Sequence, residues 1–137
     1  MAEVPSILML LSDYVQAGIK GIAIGSNDLT QLLLATDRTN PTMHQALKMN
    51  HPAVLRAIKL LITTARQEHI PCSLCGELAS QHPEVIEPLI RWGITAISVS
   101  PDAVTQTHQE ILRAEKRLFL EWNRDRDENR DRPFPTP

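Results

Sequence analysis

A chain of 137 residues, 42% of them apolar, is long enough to bury one core. Its 14 basic and 16 acidic residues leave a net charge of −2, which gives no electrostatic attraction to nucleic acid or to an anionic membrane. The expected partners are therefore small molecules or proteins. Met1-Ala2-Glu3-Val4-Pro5 has no basic stretch ahead of an apolar one, and the apolar run at residues 7–11 is too short to span a bilayer. With only two cysteines, Cys72 and Cys75, the composition suits a reducing compartment, and the cytoplasm is the expected location.

Residues 6–16 place Ile7, Leu10, Leu11, Tyr14 and Val15 on one helical stripe, and Gly18 supplies a C-terminal cap. The apolar run at 21–25, bounded by glycines, reads as a strand buried on both faces, with the polar Ser26-Asn27-Asp28 at its end. Asp28 and Gln31 have the form of a capping box, and Leu29, Leu32 and Leu33 give the short helix that begins there its apolar stripe. Residues 36–50 are polar, contain Pro41, and read as loop with a helical turn at 43–48. Across 52–68, Val54, Leu55, Ile58, Leu61, Ile62 and Ala65 recur at helical spacing, with Asn50 as the start signal and Pro52 near the first turn. Residues 71–75 predict a second strand ending at Gly76, 83–92 a helix ending at Gly93, and 95–99 a third strand. Ser100-Pro101 opens a last helix from 102 to 120.

Strands that are apolar throughout and alternate with helices predict parallel βαβ units in an α/β fold. One domain over 1–120 is expected, followed by a charged, proline-containing tail at 121–137 that lacks apolar spacing and is expected to be disordered.

Polar residues gather after each predicted strand: Ser26-Asn27-Asp28, then Cys75-Gly76-Glu77, then Ser98 and Ser100. Parallel α/β folds bind ligands at the strand carboxyl ends, so this shared placement marks the candidate site. Glu3 stands where a preceding strand would end, and with Asp28 it makes a carboxylate pair able to hold Mg²⁺, which needs few protein carboxylates. Plainer readings compete with these. Asp28 alone is more simply a helix cap, Ser98 and Ser100 are a strand end and a cap, and Glu77 is equally well an exposed loop carboxylate. Cys72 and Cys75 have the spacing of a redox pair or half a zinc site, but residues three apart on a strand face opposite ways, so Cys72 reads as core. None of His44, His51, His69, His82 and His108 pairs at helical spacing as metal ligands would.

Glu3-Val4-Pro5-Ser6, the run Ile24-Gly25-Ser26-Asn27-Asp28-Leu29-Thr30-Gln31, and Cys75-Gly76-Glu77 occur in the order and approximate spacing of one family. To about Glu115 the chain resembles the C-terminal barrel domain of the phosphoenolpyruvate-utilising enzymes, of the phosphoenolpyruvate synthase type. Ala35 and Ser100 depart from the usual pattern. The resemblance implies part of a (β/α)₈ TIM barrel, roughly its last three βα units, with Mg²⁺ on Glu3 and Asp28. It further implies that Gly25, Ser26, Asn27 and Asp28 bind pyruvate or phosphoenolpyruvate, and that Cys75 exchanges a proton with the substrate methyl carbon. The implied overall reaction converts ATP, pyruvate and water to AMP, phosphoenolpyruvate and phosphate. Phosphoryl transfer in the family uses a phosphohistidine on a separate domain.

A full barrel of this kind takes about 250 residues and eight strands. Three strands and the stump of a fourth are expected here, with exposed strand edges. Two roles follow. The chain is a segment of a synthase-like enzyme, active only beside the remaining segments, or it is a non-catalytic module that folds by self-association and binds a metabolite or a protein.

Overall fold

The described residues of the computed structural model are 1–36 and 50–130, apart from the side chains of residues 125 and 127–130. Most of the expected loop at 36–50, with its helical turn at 43–48, lies outside them. In chain order the elements are α1 (Ile7–Gln16), β1 (Ile22–Gly25), α2 (Ser26–Leu34), α3 (Pro52–Gln67), β2 (Cys72–Cys75), α4 (Leu78–Gln81), α5 (Ile86–Trp92), β3 (Ala96–Ile97) and α6 (Val104–Arg130). Short 3₁₀ turns at Pro83–Val85 and Pro101–Ala103 lead into α5 and α6. The fold is α/β, and its three strands form a parallel sheet in the order β1-β2-β3. None of the described helices is long and apolar enough to cross a membrane.

Register sorts the side chains by face. Ile22 pairs with Cys72 and Ile24 with Leu74, which in turn pairs with Ile97. These apolar residues face the helices, and Ile24, Cys72 and Leu74 are buried. Ala23 pairs with Ser73 and Gly25 with Cys75, while Ser73 pairs with Ala96. That second face carries only small side chains and is half-exposed around Ala23, Ser73 and Cys75. Helix α3 supplies most of the cover on the apolar face through Val54, Ala57, Ile58, Leu61, Ile62 and Ala65, all buried at the spacing its sequence predicts. Each buried Leu or Ile among them contributes roughly 1.5–3 kcal/mol relative to exposure.

Beside β1, Ala2 forms an isolated parallel bridge with Ile24: its N–H donates to the Ala23 carbonyl at 2.7 Å, and its carbonyl accepts from Gly25 N–H at 3.3 Å. This is the expected stump of a fourth strand, and it puts Glu3 at a strand's carboxyl end. β3 is shorter than the expected 95–99, and at its start the Thr95 side chain joins the ladder. Its hydroxyl accepts from Cys72 N–H at 3.0 Å and donates to the Cys72 carbonyl at 2.7 Å.

Several boundaries differ from those the sequence predicts. α2 begins at Ser26 with Gly25 as its N-cap and no side-chain cap, so Asp28 lies inside the first turn instead of capping it. α3 is capped by His51, whose Nδ1 accepts from Ala53 N–H at 3.2 Å, while Asn50 reaches across to Glu84 at 3.4 Å. The helix expected at 83–92 is a 3₁₀ turn followed by α5, preceded by the unanticipated α4. Pro88 fits inside α5 because it stands in the first turn, where its missing N–H would have no helical partner. α6 runs to Arg130, ten residues past the point where a disordered tail was expected. Contacts invisible in a one-dimensional reading extend it: Glu121 pairs with Arg91 at 2.8 Å, and the Trp122 ring lies beside Phe119 and under Arg126.

Candidate functional site

The site assembles from the ends of the Ala2 stump, β1 and β2, where Glu3, the 25–28 segment and Cys75 leave three adjacent parallel positions. Gly25 allows the approach of the first two. A Cβ built on Gly25 would stand 2.6 Å from Glu3 Oε2, so the carboxylate occupies space that only glycine leaves. Asp28 is exposed in the first turn of α2, where the helix dipole favours a negative charge. The side chains of Glu3 and Asp28 have no hydrogen bond or ion pair among the described residues.

Cys75 stands half-buried on the small-residue face, its Sγ donating to the Ile24 carbonyl at 3.2 Å. Burial, then the Glu3 carboxylate, with a smaller push from Asp28, raises its thiol above the ordinary range; the amino terminus acts the other way. Both carboxylates therefore act electrostatically on the same sulfur. Cys72 is 1% exposed on the opposite face, where burial pushes its thiol up to about 12. Both cysteines are free, and the two do not converge on one ion.

Between β1 and β2 lies a polar seam. Ser26, fully buried, donates from Oγ to the Cys75 carbonyl at 2.9 Å. Asn27 Oδ1 accepts from the Glu77 N–H at 3.2 Å, which leaves its amide NH₂ directed elsewhere. Thr30 closes the seam from behind, donating to the Ser26 carbonyl at 2.6 Å. Gly76 holds φ at +106°, and a Cβ there would run into Ser26 Oγ and Asn27 Oδ1. The role of Thr30 in this seam carries no signal in a one-dimensional reading, because hydroxyls at i and i+4 matter only once the helix start is known.

The carboxylate pair fits Mg²⁺ chemically. Two carboxylates without an ion pair among the described residues, beside small side chains, are the kind of oxygen donors of which Mg²⁺ takes few from protein while keeping water or substrate in its remaining positions. No group of three or more His, Cys, Asp and Glu able to hold a metal occurs among the described residues.

Other candidates resolve into structural roles. Ser100 precedes the 3₁₀ turn, and its side chain holds the Asp102 carboxyl below its usual range. Glu77 is exposed and contributes through its backbone. His51 caps α3, His69 sits at its C-terminus with φ +57°, and His82 lies 3.1 Å from Glu84. His44 falls outside the described residues.

The family described as "PEP-utilising enzyme, PEP-binding domain" matches residues 1–116. The chain is 39% identical over 121 residues to a "Probable phosphoenolpyruvate synthase" of Archaeoglobus fulgidus, covering 88% of this chain and 16% of that protein. It is 41% identical over 126 residues to the phosphoenolpyruvate synthase of Aeropyrum pernix, covering 88% and 15%. With the phosphoenolpyruvate synthase of Helicobacter pylori the identity is 36% over 118 residues, covering 86% and 14%. The chain thus spans well under a fifth of the length of these relatives.

Proposed function

Because this chain belongs to the PEP-utilising enzymes, through their PEP-binding domain, we propose that it supplies the Mg²⁺ and pyruvate/phosphoenolpyruvate half-site of a phosphoenolpyruvate synthase-like enzyme in the cytoplasm. The observation that carries the reading is the convergence of Glu3, Gly25 to Asp28 and Cys75 on adjacent strand ends. Glu3 and Asp28 are the residues that would hold Mg²⁺, which supplies positive charge to a substrate oxygen as negative charge develops on it.

The chain's own groups divide the remaining work. The first N–H groups of α2 lack helical partners and, with the helix dipole, attract the carboxylate or phosphate of the substrate. Asn27 is oriented by Glu77 so that its NH₂ donates outward. The raised thiol of Cys75 is protonated at neutral pH, so it can deliver its proton to the methylene carbon of the pyruvate enolate and accept one from the methyl group in reverse. The half-exposed face of small residues suits the interior of a partial (β/α)₈ barrel completed by further strands. Full turnover in this reading depends on those strands and on nucleotide-binding and phosphohistidine domains.

Titrating the ¹⁵N-labelled chain with Mg²⁺ and then oxalate, a mimic of the enolate, tests this. Shifts confined to Glu3, Gly25 to Asp28 and Cys75 are expected; a folded chain with no response at these residues would sink the half-site. A second reading, a self-associating module that binds a metabolite or protein, is favoured by the exposure of Met9 (80%), Phe119 (60%) and Trp122 (58%). Light scattering that finds only monomer removes it.

A further inference from the structure

Three described residues are polar and buried, Ser26, Thr30 and Thr107, and two of them form one chain of hydrogen bonds that ends on the cysteine strand. Thr30 Oγ1 donates to the Ser26 carbonyl, and Ser26 Oγ donates to the Cys75 carbonyl 49 positions away in sequence. Burying hydroxyls costs free energy unless each is satisfied, so a satisfied pair at this place marks a position that the fold holds tightly. The Ser26 side chain has no solvent exposure, and its oxygen lies 2.9 Å from the Cys75 carbonyl.

We infer that Ser26 is a positioning residue: its buried hydroxyl, backed by Thr30, clamps the carboxyl end of β2 to the start of α2 and thereby sets where the Cys75 thiol stands relative to Glu3 and Asp28. Gly76 completes the clamp. Its positive φ turns the chain immediately after Cys75, and the space where its Cβ would lie is filled by Ser26 Oγ and Asn27 Oδ1. The Cys75 sulfur is then held by the Ile24 carbonyl on the neighbouring strand. Backbone and side chain of one residue are thus anchored to two different elements. The catalytic meaning of the clamp rests on the half-site reading above, but its existence does not.

Alkylation by iodoacetamide, with each cysteine followed separately by mass spectrometry, tests the clamp without any ligand. In Ser26→Ala, Cys75 should react about threefold to tenfold faster, the factor matching a lost hydrogen bond of ordinary strength. Buried Cys72 should keep its wild-type rate. Ser26→Thr retains the hydroxyl and should restore slow reaction at Cys75, and Thr30→Val should quicken Cys75 by a smaller factor. If Ser26→Ala does not fold, Thr30→Val carries the test. Cys75 reacting at the wild-type rate in the folded variants overturns the inference, as does a joint acceleration of both cysteines, which would mean a general loosening. A chain that fails to answer Mg²⁺ and oxalate yet shows the selective Cys75 effect would sink the half-site while leaving the clamp in place.

Discussion

At Gly25 the constraint is space, since its φ of −83° is one that any residue adopts. The Glu3 carboxylate lies where a side chain would begin. Gly25→Ala should therefore displace the Glu3 carboxylate and leave the backbone path intact, costing no more than about 1 kcal/mol of stability because the group it meets first is the free end of a flexible side chain. If Glu3 holds Mg²⁺, the same change should weaken Mg²⁺ binding by about tenfold or more, equivalent to 1.4 kcal/mol. Calorimetric titration checks this, and unchanged Mg²⁺ affinity in the variant would separate Glu3 from the metal. Gly76 is constrained differently, by a positive φ as well as by its neighbours, and for that reason its substitution would mix strain with displacement.

At the scale of elements, the helix ends show how the chain reverses towards its next segment. α1 closes with Gly18 at φ +110°, where Gly18 N–H meets the Val15 carbonyl and Ile19 N–H the Tyr14 carbonyl. α5 closes the same way at Gly93. α2 ends instead on Ala35, held in the left-handed region at φ +51°, with Thr36 N–H reaching the Gln31 carbonyl. An alanine there is strained by its Cβ. Ala35→Gly relieves that strain, although it also loosens the unfolded chain, so a net gain of about 1 kcal/mol is expected. Thermal unfolding should register it as a rise of roughly 4 °C. A fall in the midpoint would show that the left-handed turn is not retained.

For the molecule as a whole, Cys72 links stability to pH. Its thiol is pushed up to about 12 in the folded chain by burial, whereas an unfolded thiol ionises at about 8.5. Below the unfolded value both states keep the proton, and the contribution is fully present. As pH rises from there towards about 12, the unfolded chain releases a proton that the folded chain retains, so stability falls. The raised Cys75 thiol acts in the same direction. Urea midpoints should drop between neutral and alkaline pH, and Cys72→Ala should flatten that dependence while lowering the neutral-pH midpoint through lost packing. An equally steep alkaline decline in Cys72→Ala would assign the effect to other groups.

The sequence by itself determined the alternation of elements, the parallel sheet, the core stripe of α3 and the family, because these rest on local periodicity and on contiguous motifs such as residues 24–31. It also placed Cys72 in the core and Cys75 on the other face, since strand alternation requires only local geometry. What it could not carry was anything decided by contact between distant segments. His51 rather than Asn50 caps α3 because Asn50 turns towards Glu84, and α6 continues to Arg130 with Glu121 paired to Arg91. The seam of Ser26, Asn27 and Gly76 exists only when β1 and β2 lie side by side. Hydrogen bonds and steric exclusion act at contact distance, so partners 49 or 50 positions apart are settled by the tertiary structure alone.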